Sequence, residues 1–258
     1  MPGERSFDEA VAELEVLVAR CRAEGDRAGY FAAMYLAVTA TVRQRVVDGF
    51  FADGPRMQRF VARFASRYLD AAEAWAAGQA CPESWRAAFA TARRRRPVVL
   101  QHLLLGMNAH INLDLGITAS ELGAAGSIEA VQPDFDAVND VLRELVDGCQ
   151  GALGEVSPWL GLADRLGGGG DETLIRFSLV AARRQAWAVA ERLAPLTGPA
   201  REQAISDIDV AAARVARAVA HPGVWPSAVL LLVRLRERTP PAVVIALLAA
   251  VRPAMRPR

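Results

Sequence analysis

One stretch of this chain has to be buried, and that requirement organises everything around it. Residues 97–113, PVVLQHLLLGMNAHINL, contain no Asp, Glu, Lys or Arg. Wound at 3.6 residues per turn, their Val, Leu, Met and Ile side chains leave no polar outer face, and a helix that is apolar all round belongs inside other helices. Yet the same stretch carries Gln101, His102, Asn108, His110 and Asn112, with Asp114 next. An unpartnered buried polar group costs ~1–3 kcal/mol, so these groups must bond to one another or to something bound.

The rest of the chain supplies the helices that would do the burying. Alanine, leucine and arginine dominate and strand-like alternation is almost absent, so summed helix propensity is high. Ser6 with Glu9 three residues on predicts a capping box, followed by Val11, Leu14 and Val18 at helical spacing, with Gly25 as terminator. Further helices are predicted over about 27–48, 56–77, 133–146, 171–193 and 199–220, with another opened by Cys81-Pro82. The Gly167–Gly170 run reads as a hinge or loop. The expected architecture is all-α: a single-domain bundle of eight to ten helices around a buried central helix at about 97–118. Residues 1–221 form the helical domain. A tail at 222–258, punctuated by Pro222, Pro226, Pro240, Pro241 and Pro253, is expected only to pack on it.

Charge and composition exclude several classes. Thirty basic residues, all arginine, stand against 29 acidic ones for a formal net charge of +1, which gives no electrostatic case for nucleic acid. The absence of lysine reflects a GC-rich genome of the actinobacterial kind and not a phosphate-binding surface. Three widely spaced cysteines (Cys21, Cys81 and Cys149) make neither a disulfide framework nor a zinc knuckle, so a cytoplasmic location is expected. The first ten residues lack the pattern of a secretory signal. The apolar runs at 228–233 and 242–251 fall short of the ~20 residues a span needs, so a soluble protein without a membrane partner is expected.

His110 and Asp114, four apart, fall on one helix face. The pair reads as a carboxylate fixing an imidazole for acid–base work, as two ligands of a single divalent metal, or as a structural hydrogen bond. Gln101, Asn108 and Asn112 lie roughly 120–180° away on the same helix at 3.6 residues per turn, where they either position a ligand or bond to neighbouring backbone. Asp70 with Glu73, and Asp136 with Asp140, are further carboxylate pairs, most simply read as solvated faces or arginine partners. Other templates are absent: there is no repeated Glu-x-x-His, no GxSxG elbow, no P-loop and no dinucleotide fingerprint.

The run Gly106-Met107-Asn108-Ala109-His110-Ile111-Asn112, followed by Asp114-Leu115, resembles the actinobacterial family of domains of unknown function DUF5995. Supporting matches are Tyr35, Arg67-Tyr68-Leu69-Asp70, Pro97 with Gln101, Val138-Asn139-Asp140 and Ala186-Trp187, together spanning about residues 30–190. His102 departs from the family pattern, which has an apolar residue there. The resemblance implies domain identity and a site at the central helix, and carries no reaction with it.

The first functional expectation is therefore a soluble helical enzyme, of a biosynthetic, specialised-metabolism type, acting on a small and largely apolar organic molecule. His110, Asp114, Asn108 and Asn112 would carry acid–base or metal-assisted chemistry. Tyr35, Tyr68, Gln101 and Trp187 would line the substrate, and His110, Asp114 and Asp70 would be the metal ligands. The alternative from another class is a non-catalytic binding or scaffold protein whose polar central helix is structural. A magnesium-dependent prenyl-diphosphate-type cyclase is a third reading. It is weakened by Leu69, which breaks the aspartate-rich motif, and by Arg143, which stands where a hydroxyl residue belongs.

Overall fold

A computed structural model describes residues 5–123, 127–157 and 179–252. The described residues are all helix and connection, with no strand among them. In chain order the helices are α1 (Phe7–Glu24), α2 (Gly29–Val47), α3 (Gly54–Ala76), α4 (Glu83–Ala92), α5 (Val99–Ala109), α6 (Gly116–Gly123), α7 (Gln132–Val156), α8 (Leu179–Leu193), α9 (Gly198–Ala220), α10 (Val224–Arg236) and α11 (Pro241–Ala249). A π-helical segment, His110–Leu115, joins α5 to α6, and a short 3-10 turn, Ile128–Ala130, precedes α7. The protein is an all-α helical bundle.

Local chemistry explains the boundaries. Ser6 caps α1, accepting from the Glu9 amide at 3.2 Å while the Glu9 carboxylate accepts from the Ser6 amide at 2.8 Å. The α4 helix begins after Pro82, and Asp209 of α9 caps it from outside by accepting from the amides of Glu83 and Ser84. Helix α7 runs ten residues beyond the predicted 133–146, to Val156. The predicted hinge at Gly167–Gly170 and the first part of the 171–193 helix lie outside the described residues.

The α5–π–α6 rod occupies the centre. Helices α2, α3, α4, α8 and α9 pack around it, and Leu103, Leu105, Leu113 and Leu115 are buried. The tail divides in two. Helix α11 belongs to the core, with Val244, Ile245 and Leu248 buried against α1 and α2. Helix α10 lies outside, held through Val229, Leu230 and Val233 against Val98 and Leu100.

Candidate functional site at the central helix

Asp114 is the meeting point of the site. Its Oδ2 accepts from Trp85 Nε1 of α4 at 2.9 Å and lies 3.1 Å from Nδ1 of His110. A carboxylate only accepts, so the proton of the neutral imidazole sits on Nδ1, and Nε2 carries the lone pair. Nε2 is buried and has no hydrogen-bond partner. Burial in this apolar surround holds the His110 pKa below its ordinary value, against the opposing bond and charge of Asp114. His110 is therefore neutral at physiological pH.

Aromatic rings enclose it. Phe64 stacks parallel on the imidazole with centroids 3.6 Å apart, and Tyr35 meets it edge-on at 4.3 Å. Phe31, Trp85 and Tyr68 follow at 5.7, 5.9 and 6.2 Å. The Tyr35 hydroxyl, buried near Thr39, also lacks a hydrogen bond of its own. The π segment begins at His110 itself, and such local widenings of a helix recur at functional sites. Beneath the pair, Thr118 Oγ1 donates to the Asp114 carbonyl at 2.8 Å and accepts from Arg67 Nε at 3.2 Å. Arg67 also pairs with Glu121, which ties α3 to α6.

The glycines of the rod show how tightly it is set. A Cβ on Gly106 would lie 2.3 Å from the Phe31 ring, and one on Gly116 would lie 2.8 Å from the Ala186 carbonyl. Only glycine permits these approaches.

The three amides face the other way. Asn108 donates to the Ala212 carbonyl of α9 at 2.9 Å and accepts from Asn112 at 2.9 Å. Gln101 donates to the Val219 carbonyl at 2.8 Å and accepts from the Val98 amide at 3.1 Å, capping α5. Of the sequence-predicted site residues, the structure thus brings His110, Asp114, Tyr35 and Tyr68 together. It places Asn108, Asn112 and Gln101 against α9, on the opposite side of the rod. Trp187 lies elsewhere, on α8, packed on Phe135 with centroids 5.0 Å apart and bonded to Glu191.

The residues present do not fit the single divalent metal. Asp70 is a surface residue paired with Arg5 at 2.6 Å, while His110 and Asp114 are buried and bonded to each other. Among the described residues no three His, Cys, Asp or Glu side chains converge as a metal site would require. The metal assignment of His110, Asp114 and Asp70 is corrected on this ground.

Sequence reasoning missed Trp85, Phe64 and Phe31. Trp85 left a signal, since a buried indole usually finds an acceptor and Asp114 was the carboxylate in the apolar helix. It also missed a cleft of about 300 Å³ between α1, α3 and α4, bordered by Tyr68, Trp75, Phe89, Arg20, Asp26 and Arg93. A second, water-sized pocket of about 20 Å³ touches Tyr68, Phe31, Trp85, His102 and Gly106. Tyr68 borders both and also flanks His110.

The sequence pattern of the family of unknown function DUF5995 matches residues 7–222. The chain belongs to this family. The match takes in the whole His110–Asp114–Trp85 cluster and the α9 carbonyls that hold the amides, and it stops before α10 and α11. No curated protein and no solved structure matches the chain. DUF5995 membership thus fixes the domain, and the chemistry has to be read from the site.

Proposed function

We propose that this DUF5995 protein is an enzyme acting on a small, largely apolar organic molecule, with His110 as its acid–base group. The observation that carries the reading is the unpartnered Nε2 of His110, on an imidazole whose other nitrogen is fixed by Asp114. A carboxylate that orients histidine leaves the far nitrogen free to take a proton from a bound molecule and return it, and Trp85 fixes the carboxylate in turn. Tyr35 would present its hydroxyl beside the reacting atom. The cleft at Tyr68, Trp75 and Phe89 has the volume of a small-ligand site, ~300–1,000 Å³ being usual, and an aromatic floor suited to an apolar guest. Tyr68 stands between cleft and imidazole, so its ring would move to admit substrate. A cytoplasmic, biosynthetic setting fits three cysteines that are all free thiols.

A second reading rests on a different observation. Phe64 packs on His110 at van der Waals distance and every central amide is bonded to protein, as in a scaffold whose polar rod is structural. Titration with a panel of small aromatic and alicyclic alcohols, ketones and phenols, followed through the ¹H–¹⁵N signals of the His110 ring, separates the two. The enzyme reading expects a member of the panel to shift the Nε2 resonance. It also expects His110→Gln to weaken that binding by about tenfold or more while remaining folded. Binding that is indifferent to His110→Gln, or a resonance that no compound moves, assigns the cluster to structure.

A further inference from the structure

Helix α10 shows solvent a face that a water-soluble surface does not ordinarily carry. Its inner side, Val229, Leu230 and Val233, is used against Val98 and Leu100. On the opposite side Val224, Trp225, Leu231, Leu232 and Leu235 are all exposed, Trp225 by 84% and Leu235 by 61%. At 100° per residue these five, with Ala228, fall within one arc running the length of the helix, which is about 20 Å at 1.5 Å per residue. Contiguous exposed apolar area of this kind marks an interaction surface. Of the tail expected to pack on the domain, α11 lies in the core and the outer face of α10 is exposed.

The charge around this face identifies what covers it. Residues 84–113 and 210–252, which contain α10 and the segments it rests on, hold eleven arginines and one carboxylate side chain, Glu237. Glu237 is buried, accepting from the Val99 amide and from Ser157. The chain as a whole is near neutral, so the positive charge is gathered here. Arg94, Arg95 and Arg96 are exposed, and the run is joined to α10 where Arg234 Nε donates to the Arg95 carbonyl at 2.7 Å, while Arg94 meets His221, between α9 and α10, at 3.4 Å. Arg236 and Arg238 stand exposed at its C-terminal end.

We infer that α10 is a membrane-surface helix, lying in the interface of a bilayer rich in anionic lipid with Trp225, Leu231, Leu232 and Leu235 among the acyl chains and the arginines at the headgroups. Apolar area and attraction to anionic headgroups together set the strength of such binding. A second copy of the chain covers the same apolar face less well, because two-fold pairing sets one arginine cluster close to another. The helix lies on the bilayer and does not cross it. No single helix among the described residues is long and apolar enough, and α9, which leads into α10 through a 64° bend, is committed to the bundle through Ile208, Ala212, Ala216 and Val219.

Sedimentation of the full chain with phosphatidylglycerol/phosphatidylethanolamine vesicles, and with phosphatidylcholine vesicles as the neutral control, tests this. The expected result is binding to the anionic vesicles with a blue shift of fluorescence that Trp225→Phe removes. The double variant Leu231→Glu/Leu235→Glu, at exposed positions, loses that binding with its melting temperature unchanged. Arg95→Gln/Arg96→Gln/Arg238→Gln weakens it roughly a hundredfold, at the usual contribution of each basic residue near such a surface. Failure to bind anionic vesicles at low salt overturns the inference, as does binding that survives the leucine double variant. A lipid-free dimer that the same double variant dissolves overturns it too, and gives the face to a second copy.

Discussion

Trp85 reaches from α4 to the same carboxylate oxygen of Asp114 that holds His110, at 2.9 Å against 3.1 Å. The indole is not only packing. It fixes the group that fixes the imidazole, so the orientation of His110 depends on a helix that does not itself carry the histidine. Trp85→Phe keeps most of the ring and removes the donor. The expected cost is about 1.5–3 kcal/mol, the range for a bond to a charged acceptor, read from denaturant unfolding. An unchanged midpoint would show that the indole contributes packing alone.

His102 sets a pH dependence. Burial, with Arg27 and Arg234 adding to it, pushes its pKa down to about 3, and neither ring nitrogen has a full hydrogen bond. The unfolded chain takes up this proton near pH 6.5 and the folded chain does not. The stability contributed by the neutral form is therefore present above about pH 6.5 and lost as pH falls toward 3, by about 1.4 kcal/mol per pH unit for one proton. Glu237, raised by burial, titrates in the opposite sense. The informative comparison is thus wild type against His102→Leu, whose stability between pH 6 and 4 should fall less steeply by about one proton.

Asn108 separates structure from chemistry. It ties the rod to the Ala212 carbonyl of α9 and steadies Asn112. Asn108→Ala is expected to cost about 1–3 kcal/mol by orphaning buried partners. It should leave the binding of small ligands to the folded protein unchanged. A variant as stable as wild type but unable to bind would move Asn108 into the site.

Ile245 tests how far the domain extends. It is fully buried against α2, although it lies beyond the residues the family pattern covers. Ile245→Ala is expected to lose about 2–5 kcal/mol, and a chain ending at Ala220 to lose more, both by thermal melting. Little change in either would make α11 an accessory.

Much of this was legible in the sequence because it rests on local rules. The Ser6–Glu9 cap and the burial of the rod follow from spacing and from the absence of charge. So does the separation of the His110–Asp114 face from the Asn108–Asn112 face. What spacing cannot supply is which neighbour meets each face. Gln101 and the two asparagines read equally well as ligand-binding or structural until α9 is seen to offer its carbonyls. Phe64 and Trp85 converge on His110 from α3 and α4, a tertiary fact with no trace in either helix alone. The π segment is invisible for a related reason: it lies against α3, α8 and α9, neighbours that its own residue types do not announce.

The glycine approaches along the rod have a mechanical consequence. With Phe31 pressed onto the backbone at Gly106 and α8 onto it at Gly116, the central helix can neither slide nor roll without collision. It is the stator of the molecule. On the proposed reading, a molecule would reach His110 through the rotation of the enclosing rings on α2, α3 and α4, Tyr68 first among them, so the speed of entry would be governed by ring flips and not by the parting of helices.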